Sequence, residues 1–594
     1  MNIKYFYLIF LLIAVAACKN PTEKEQTSSM ENISELLDSY YEERLQYFPL
    51  EATAIADNRY NDKLPADISG SYREKLKGFY KKYFDKISLI DSTKLLDQDV
   101  LSYNVFKREM LIQLEGLEYF DNLLPINQFW SMHLTFPVLG SGSGNQPFKT
   151  VKDYENFLKR MDDFYAYMDT AIVNMKKGMQ NNIVPPAILM ERVLPQLKGI
   201  IVTDPEKSVF YGPINDMPSS FSKENGSRIK ELYRKAIMEK VVASYQRMHD
   251  FISNEYISHC RKTAGIAELP NGKEYYSYMA RVWTTTNLTP DEIFETGQRE
   301  VARLRSEMEK VMNETGYNGD LKSFFTFIKT DNKFMPFKTA DEVINTFKSY
   351  ESIMRPKLAE LFNLVPKAKF EVRQTEKFRE ASASAEYNQS APDGSRPGIF
   401  YVPVLDAKKF NVVGMEDLFL HEAIPGHHYQ ISIQQENDSL PKFRRFGWYG
   451  AYGEGWALYT EALGKELGLY KDPYQYFGSL SEEMHRAIRL VVDVGMHTKG
   501  WTREEAIKYS LENEAGNETD LTAEIERYMA IPGQALAYKI GQLKIIEIRK
   551  SAEQKLGDKF NIKDFHDEVL KDGCLPMDVF ERKMEGWVNK QLAN

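Results

Sequence analysis

The stretch from His421 to His428 constrains this chain more than any other part of its sequence. It holds three of the nine histidines in a chain of 594 residues, in the order His-Glu-Ala-Ile-Pro-Gly-His-His. Pro425 has no backbone N–H, so it removes the helical hydrogen bond to the carbonyl of His421. A helix that carries His421 and Glu422 must therefore end or bulge before it reaches His427.

Histidine and glutamate in this arrangement are typical of a zinc site. Neutral imidazoles bind the metal, and the adjacent carboxylate of Glu422 faces a water molecule that the metal makes acidic. The usual spacing is His-Glu-x-x-His, because residues four apart share a helix face. A bulge of two residues would bring His427 into the role of second ligand beside His421, whereas a regular helix would favour His428, seven positions on. We favour His427, with His428 supporting the site or serving as the alternative ligand.

Two acidic residues further along the chain are candidates to complete this site. Glu454 lies 27 residues after His427, between two glycines in an aromatic-rich run, which is unusual for a surface carboxylate. We predict that Glu454 is the third protein ligand, which leaves one position for water. Glu461 follows seven residues later on the same predicted helix face, where it could orient a ligand through a hydrogen bond.

The hydrophobic pattern predicts a mainly α protein. Apolar residues recur at three- and four-residue steps from Met30 onward, and Thr289-Pro290-Asp291-Glu292 is typical of a helix start. Short strands are expected only between about residues 369 and 404, where β-branched and aromatic residues flank a turn-rich segment. We therefore predict a single large helical catalytic domain over residues 30–594, with a small β-sheet beside the metal helix.

The N-terminus has the features of an exported lipoprotein. A basic start and a short apolar run end in Val-Ala-Ala directly before Cys18, which predicts a signal peptide over residues 1–17 and lipidation of Cys18. The alternative is an ordinary signal peptide with an incidental cysteine. Residues 18–29 are polar and are predicted to be a tether. We expect a chain anchored to a bacterial membrane through lipid, facing the periplasm or the cell exterior.

The overall charge excludes other kinds of partner. Lysine and arginine number 76 against 85 acidic residues, a net charge of −9, which argues against nucleic acid as a partner. The mean hydropathy of −0.46 argues against a protein with many membrane spans.

Two motifs, His-Glu-Ala-Ile-Pro-Gly-His-His-Tyr-Gln and Gly-Glu-Gly-Trp-Ala-Leu-Tyr, resemble those of the bacterial "domain of unknown function 885" family. The likeness extends over nearly the whole mature chain. That family is grouped with gluzincin-type zinc peptidases and is more distantly similar to thimet oligopeptidase and angiotensin-converting enzyme. The resemblance implies a large helical zincin-like metallopeptidase fold.

The resemblance also implies roles for residues outside these motifs. Helical zinc peptidases have an edge strand before the metal helix, here matched by residues 398–402, and a downstream His and Tyr that stabilise the oxyanion, here matched by His497 and Tyr538. Ordinary structural roles are equally open for both residues. Arg396 and Tyr401 are candidates for substrate contact, although Arg396 could equally stabilise its turn.

These observations predict a zinc-dependent hydrolase that acts on short peptides, with Zn²⁺ as cofactor and Glu422 as general base. Two alternatives remain open. One is a zinc hydrolase of a non-peptide amide or ester, because the same activated water serves both reactions. The other is a non-catalytic helical glycan-binding lipoprotein, which would use the many aromatic residues but would leave the His and Glu residues unexplained.

Overall fold

The computed structural model describes residues 21–375, 377, 380, 384–392, 394 and 396–593, with side chains from residue 33 onward. The predicted signal peptide and Cys18 lie outside the described residues. The first helix begins at Pro21, so residues 21–29 of the predicted tether belong to a helix. Within the described residues, no helix combines the length and apolar character that crossing a membrane requires.

The chain is mainly helical, as predicted. The helices of the first half are α1 (Pro21–Tyr47), α2 (Pro49–Ala54), α3 (Gly70–Ser88), α4 (Asp97–Gly116), α5 (Met132–Gly140), α6 (Val151–Gln180), α7 (Ala187–Ile200), α8 (Gly212–Asn215), α9 (Lys223–Ala236), α10 (Ala243–Phe251) and α11 (Gly272–Thr284). Those that follow are α12 (Pro290–Glu314), α13 (Leu321–Thr330), α14 (Ala340–Leu361), α15 (Met415–Glu422), α16 (His427–Glu436), α17 (Lys442–Arg445), α18 (Gly450–Ala462), α19 (Pro473–Thr498), α20 (Arg503–Asn513), α21 (Glu518–Ala530), α22 (Leu536–Leu556), α23 (Ile562–Leu570) and α24 (Met577–Ala593).

Local sequence signals explain where several of these helices begin and which face they bury. Thr289 accepts a hydrogen bond from the Glu292 backbone at the start of α12, and the Glu292 side chain bonds back to Thr289, which forms the predicted capping box. In α6 the repeating apolar residues Phe157, Met161 and Phe164 are fully buried. These positions therefore belong to the hydrophobic core.

A small sheet lies within the predicted region. It contains β1 (Phe370–Gln374), β2 (Glu386–Asn388) and β3 (Gly398–Val402), in the order β1-β3-β2. β3 pairs with β1 in parallel and with β2 antiparallel, so β3 is the central strand and β2 lies at an edge. All five residues of β3 are buried. The expectation that residues 398–402 form an edge strand is therefore wrong, because β2 covers the side of β3 that would have been exposed.

Helix packing brings the two parts of the motif region together. α18 packs along α22, α19 packs along α12, and α15 contacts both α18 and α19. As a result, α15, α16, α18, α19 and α22 converge beside the sheet, and their facing sides form the walls of the candidate site.

Candidate metal centre

The break at Pro425-Gly426 folds the chain back over the end of α15. α15 ends at Glu422 and α16 begins at His427, so four residues separate the two helices. A Cβ atom on Gly426 would lie 2.0 Å from the carbonyl oxygen of His421, a distance that only glycine permits. The reversal brings the His421 and His427 rings to a centroid separation of 4.7 Å, nearly perpendicular to each other.

His421, His427 and Glu454 form one cluster of possible metal ligands. One ligand atom from each lies within 4.8 Å of the others. The Oε2 atom of Glu454 is 3.6 Å from Nε2 of His421 and 3.4 Å from Nε2 of His427. These separations exceed ordinary hydrogen-bond lengths. They match the edge of about 3.4 Å expected between donors around a tetrahedral zinc ion. Two imidazoles and a carboxylate therefore fit zinc in both chemistry and spacing.

The two glycines beside Glu454 are required by two different close contacts. A Cβ atom on Gly455 would lie 2.5 Å from the backbone of Gly541, so the backbones of α18 and α22 are in direct contact. A Cβ atom on Gly453 would lie 2.0 Å from the indole of Trp448, which packs against α18 at that point. Glu454 is thus fixed between a helix contact on one side and an aromatic side chain on the other.

Glu461 supports His421 from behind. The Nδ1 atom of His421 lies 2.6 Å from the buried carboxylate of Glu461, which directs Nε2 toward the cluster. Tyr470 donates hydrogen bonds to the Glu461 backbone carbonyl and to Asp417. Burial lowers the pKa of His421, but the carboxylates of Glu454 and Glu461 outweigh this effect and raise it.

Glu422 lies beside the cluster without belonging to it. Its side chain is buried and lines the same cavity as His421, His427 and Glu454. Burial raises the pKa of Glu422, although the neighbouring histidines oppose the shift. A carboxylate with a raised pKa next to candidate metal ligands has the properties that a general base needs.

His428 points away from the cluster. Its Nδ1 atom lies 2.9 Å from the hydroxyl of Tyr387 in β2, and its ring packs 4.8 Å from that of Phe370. Burial lowers the pKa of His428 to about 4. The structure therefore places His427, and not His428, with the other ligand candidates, and gives His428 a contact with the sheet.

The cluster opens into a cavity of about 1220 Å³. Its walls come from β2, α15, α16, α18, α19, α21 and α22, and the exposed ring of Phe129 contributes a further part of the lining. The cluster of ligand candidates therefore lies in a pocket of the size that binds a small ligand or a short peptide.

His497 does not lie in this cavity, which corrects the expectation that it stabilises an oxyanion. Its Nδ1 atom accepts a hydrogen bond from the backbone N–H of Ile266, and its Nε2 atom lies 3.0 Å from the carbonyl of Tyr528. The ring is fully buried against Tyr276, and burial lowers its pKa to about 3. With both nitrogens engaged in the core, His497 has a structural role.

The two predicted substrate contacts also lie outside the cavity lining. Arg396 donates hydrogen bonds to the backbone of Gln389 and to Asn388, so it holds the loop between β2 and β3. Tyr401 is buried in the central strand β3. Contact of these two residues with a substrate stays a prediction, since β2 and not β3 contributes to the cavity wall.

Tyr538 does line the cavity, and it has neighbours that the sequence analysis missed. The guanidinium of Arg489 lies 4.7 Å from the centre of the Tyr538 ring. Arg489 and His485 are one helical turn apart on α19, on the same cavity wall. His485 Nδ1 is 2.5 Å from Glu514, whose carboxylate overcomes the effect of burial and raises the pKa of His485. The four-residue spacing of His485 and Arg489 was the available signal.

Among solved structures, a presumed lipoprotein from Colwellia psychrerythraea is 28% identical to this chain, with a TM-score of 0.87, covering 95% of this chain and 99% of that one. A presumed lipoprotein of unknown function from Shewanella oneidensis is 19% identical, with a TM-score of 0.73, covering 93% and 99%, and this likeness concerns the fold alone. No curated protein matches the chain. The family model described as "Bacterial protein of unknown function (DUF885)" matches residues 49–584, and the chain therefore belongs to that family.

Proposed function

We propose that this protein is a zinc-dependent peptidase that hydrolyses short peptides. The observation that carries the proposal is the convergence of His421, His427 and Glu454 in one cavity with the buried carboxylate of Glu422. The first three would hold the metal. When bound, zinc supplies Lewis acidity, which makes a water molecule acidic enough to attack near neutral pH.

Glu422 carries the protons in this reaction. Its carboxylate accepts a proton from the water that attacks the carbonyl carbon of the scissile bond. It then gives that proton to the nitrogen of the leaving amine as the carbon–nitrogen bond breaks. Burial, which favours the neutral form of Glu422, helps the residue to hold the proton between the two steps.

Tyr538 stabilises the negative charge that develops on the carbonyl oxygen. Tyr538 is the residue that α22 contributes to the cavity lining, its hydroxyl can donate a hydrogen bond, and the guanidinium of Arg489 lies against its ring. The positive charge of Arg489 near this ring favours the development of negative charge on the carbonyl oxygen of the scissile bond. This assigns to Tyr538 alone the role that was first shared with His497.

The surroundings of the cluster support a zincin-like fold of the gluzincin type. His421 and His427 lie on two successive helices, and the third ligand is a carboxylate 27 residues downstream. A strand lies at the cavity wall. These features belong to that pattern. β2 takes the place of the strand first assigned to residues 398–402, since Glu386 and Tyr387 line the cavity. A cavity of about 1220 Å³ between helices favours short peptides over folded proteins.

We also propose that the chain is exported and anchored to a membrane through lipid on Cys18. The small residues directly before Cys18 support this, and so does the 28% identical presumed lipoprotein from Colwellia psychrerythraea. A Cys18→Ser variant should leave the membrane fraction and retain hydrolytic activity. Retention on the membrane after a carbonate wash would contradict lipidation.

A digest of a peptide library by the purified protein tests the proposed reaction. Metal analysis comes first and should find about one zinc per chain. Cleavage products should appear with the zinc-loaded protein, disappear after chelation and be absent with the Glu422→Gln variant. Hydrolysis of ester or non-peptide amide substrates without any peptide cleavage would replace the peptidase by the second kind of zinc hydrolase. Absence of bound metal would contradict both.

A further inference from the structure

A second cavity, of about 340 Å³, adjoins the candidate metal centre. It shares Gln389 and Trp448 with the larger cavity. Six of its fourteen lining residues are aromatic: Tyr40, Tyr41, Phe443, Phe446, Trp448 and Tyr449. We refer to it as the aromatic cavity.

Trp448 forms the wall between the two cavities. Its ring lies 5.9 Å from that of His427, and 44% of the residue is exposed. The indole packs on Gly453, directly before the ligand candidate Glu454. A group bound in the aromatic cavity is therefore one aromatic ring away from the metal cluster.

The charges of the aromatic cavity leave one carboxylate in excess. Its arginine, Arg44, donates two hydrogen bonds to Glu51, at 2.9 and 2.7 Å, and a third to the hydroxyl of Tyr40. Glu109 accepts hydrogen bonds from Gln113 and from the hydroxyl of Tyr449, but it has no ion pair among the described residues. The cavity therefore neutralises its own cation and keeps Glu109 without a counter-charge.

Gln435 adds an acceptor that lacks a donor. Only 7% of this residue is exposed, and it lines the aromatic cavity. Its amide nitrogen donates to Gln389, while its Oε1 atom has no hydrogen-bond partner among the described residues. Buried polar atoms are almost always paired, so an unpaired acceptor in a cavity points to a ligand that brings a donor.

We propose that the aromatic cavity is a subsite for a cationic group of the substrate, the side chain of a lysine or arginine. Ring faces attract cations, Glu109 supplies the opposite charge, and Gln435 accepts a hydrogen bond that an ammonium or guanidinium donates. A carboxylate would find the three nitrogens of Arg44 already engaged and would face Glu109. This proposal rests on the proposed function, because it names the substrates of the same site.

Binding of small amides tests the subsite without hydrolysis. Calorimetry on the full mature chain in the Glu422→Gln background compares N-acetyl-lysine amide, norleucine amide and N-acetylnorleucine amide. These carry a side-chain ammonium, an α-ammonium and no charge. We expect N-acetyl-lysine amide to bind at least about 10-fold more tightly than the uncharged probe, since hydrogen bonds to charged groups are strong. Adding Glu109→Gln should abolish this advantage.

The matched control is Glu115→Gln, on the same helix α4 but paired with Arg281 outside both cavities. It should leave the preference for lysine intact. Tighter binding of norleucine amide than of N-acetyl-lysine amide would assign the cavity to the substrate α-ammonium and overturn the side-chain assignment. Equal binding of all three probes by the protein with Glu109 in place would overturn the cationic subsite altogether. A fourth probe, N-acetylglutamate amide, would do the same if it bound more tightly than N-acetyl-lysine amide.

Kinetics separate the subsite from the reaction. The substrates are short norleucine peptides in which each position in turn is replaced by lysine. At the position that reaches the subsite, lysine should raise kcat/KM about 10-fold over norleucine, and Glu109→Gln should remove that gain. Selective binding of N-acetyl-lysine amide without cleavage of any peptide would count against the peptidase and leave the subsite standing. Peptide cleavage without any preference for lysine would support the peptidase and contradict the subsite.

Discussion

Replacing His427 or His428 by alanine gives two adjacent variants with opposite expected effects on zinc. His427 Nε2 lies 3.4 Å from Glu454 Oε2, at ligand spacing, whereas His428 bonds to the hydroxyl of Tyr387. Apparent zinc-binding free energies of about 10–16 kcal/mol in four-ligand sites correspond to about 3 kcal/mol per ligand. His427→Ala should therefore weaken zinc binding by about 10²-fold.

His428→Ala should leave zinc affinity within about 10-fold of the unaltered protein. His428 does not belong to the cluster of ligand candidates, so its loss removes a hydrogen bond to Tyr387 and packing on Phe370. That change should cost stability, about 1–3 kcal/mol, rather than metal affinity.

Competition for zinc against a chromogenic chelator measures both affinities, and thermal melting of each variant verifies that it is folded. Equal losses of affinity, or a larger loss for His428→Ala, would refute the assignment of His427 and the argument built on the Pro425-Gly426 break.

Four further predictions follow from the site and its surroundings. Glu422→Gln should lower kcat by at least about 10²-fold while bound zinc, measured by elemental analysis, stays unchanged; loss of zinc would contradict its role as base. Glu461→Gln should weaken zinc binding about 10–100-fold in the same chelator assay, because it removes the charged partner of His421; an unchanged affinity would contradict that role. Tyr538→Phe should lower kcat about 10²-fold with little change in KM, since the hydroxyl acts on the transition state; an equal rise in KM would indicate substrate binding instead. Burial raises the pKa of Asp493 to about 7. The folded protein therefore binds the carboxyl proton more tightly than the unfolded chain does. The Asp493 contribution to the free energy of unfolding should fall by up to about 4 kcal/mol as pH rises from about 4 to 7. Asp493→Asn should remove that decline, and melting curves with the same pH dependence in both proteins would show that Asp493 is ionised throughout.

Local chemistry made much of the site predictable. Pro425 interrupts the helix whatever the rest of the chain does, so the return of His427 toward His421 follows from the sequence. The glycines around Glu454 likewise marked a residue held at close contacts. The predicted ligand set is the set that the structure brings together.

The errors concern relations between elements far apart in sequence. His485 and His497 lie on the same helix α19, and only its packing against α12 and α22 decides which histidine faces the cavity. The order of strands in the sheet is similarly non-local. Residues 398–402 have the pattern of a strand, but nothing in that pattern shows that β2 will pair along its outer side. The same limit applies to Arg396 and Tyr401, which the fold places outside the cavity lining.

The contact between Gly455 and Gly541 has a consequence for how this site can change. Glu454 lies on α18 and Tyr538 on α22, and these helices meet backbone to backbone at that point. The spacing of the two helices that carry the third ligand and the proposed oxyanion donor is therefore set at this point by contact between backbone atoms and not by side-chain packing. Variation among related proteins should spare this contact and fall instead on parts of the cavity wall without such packing, such as the exposed ring of Phe129.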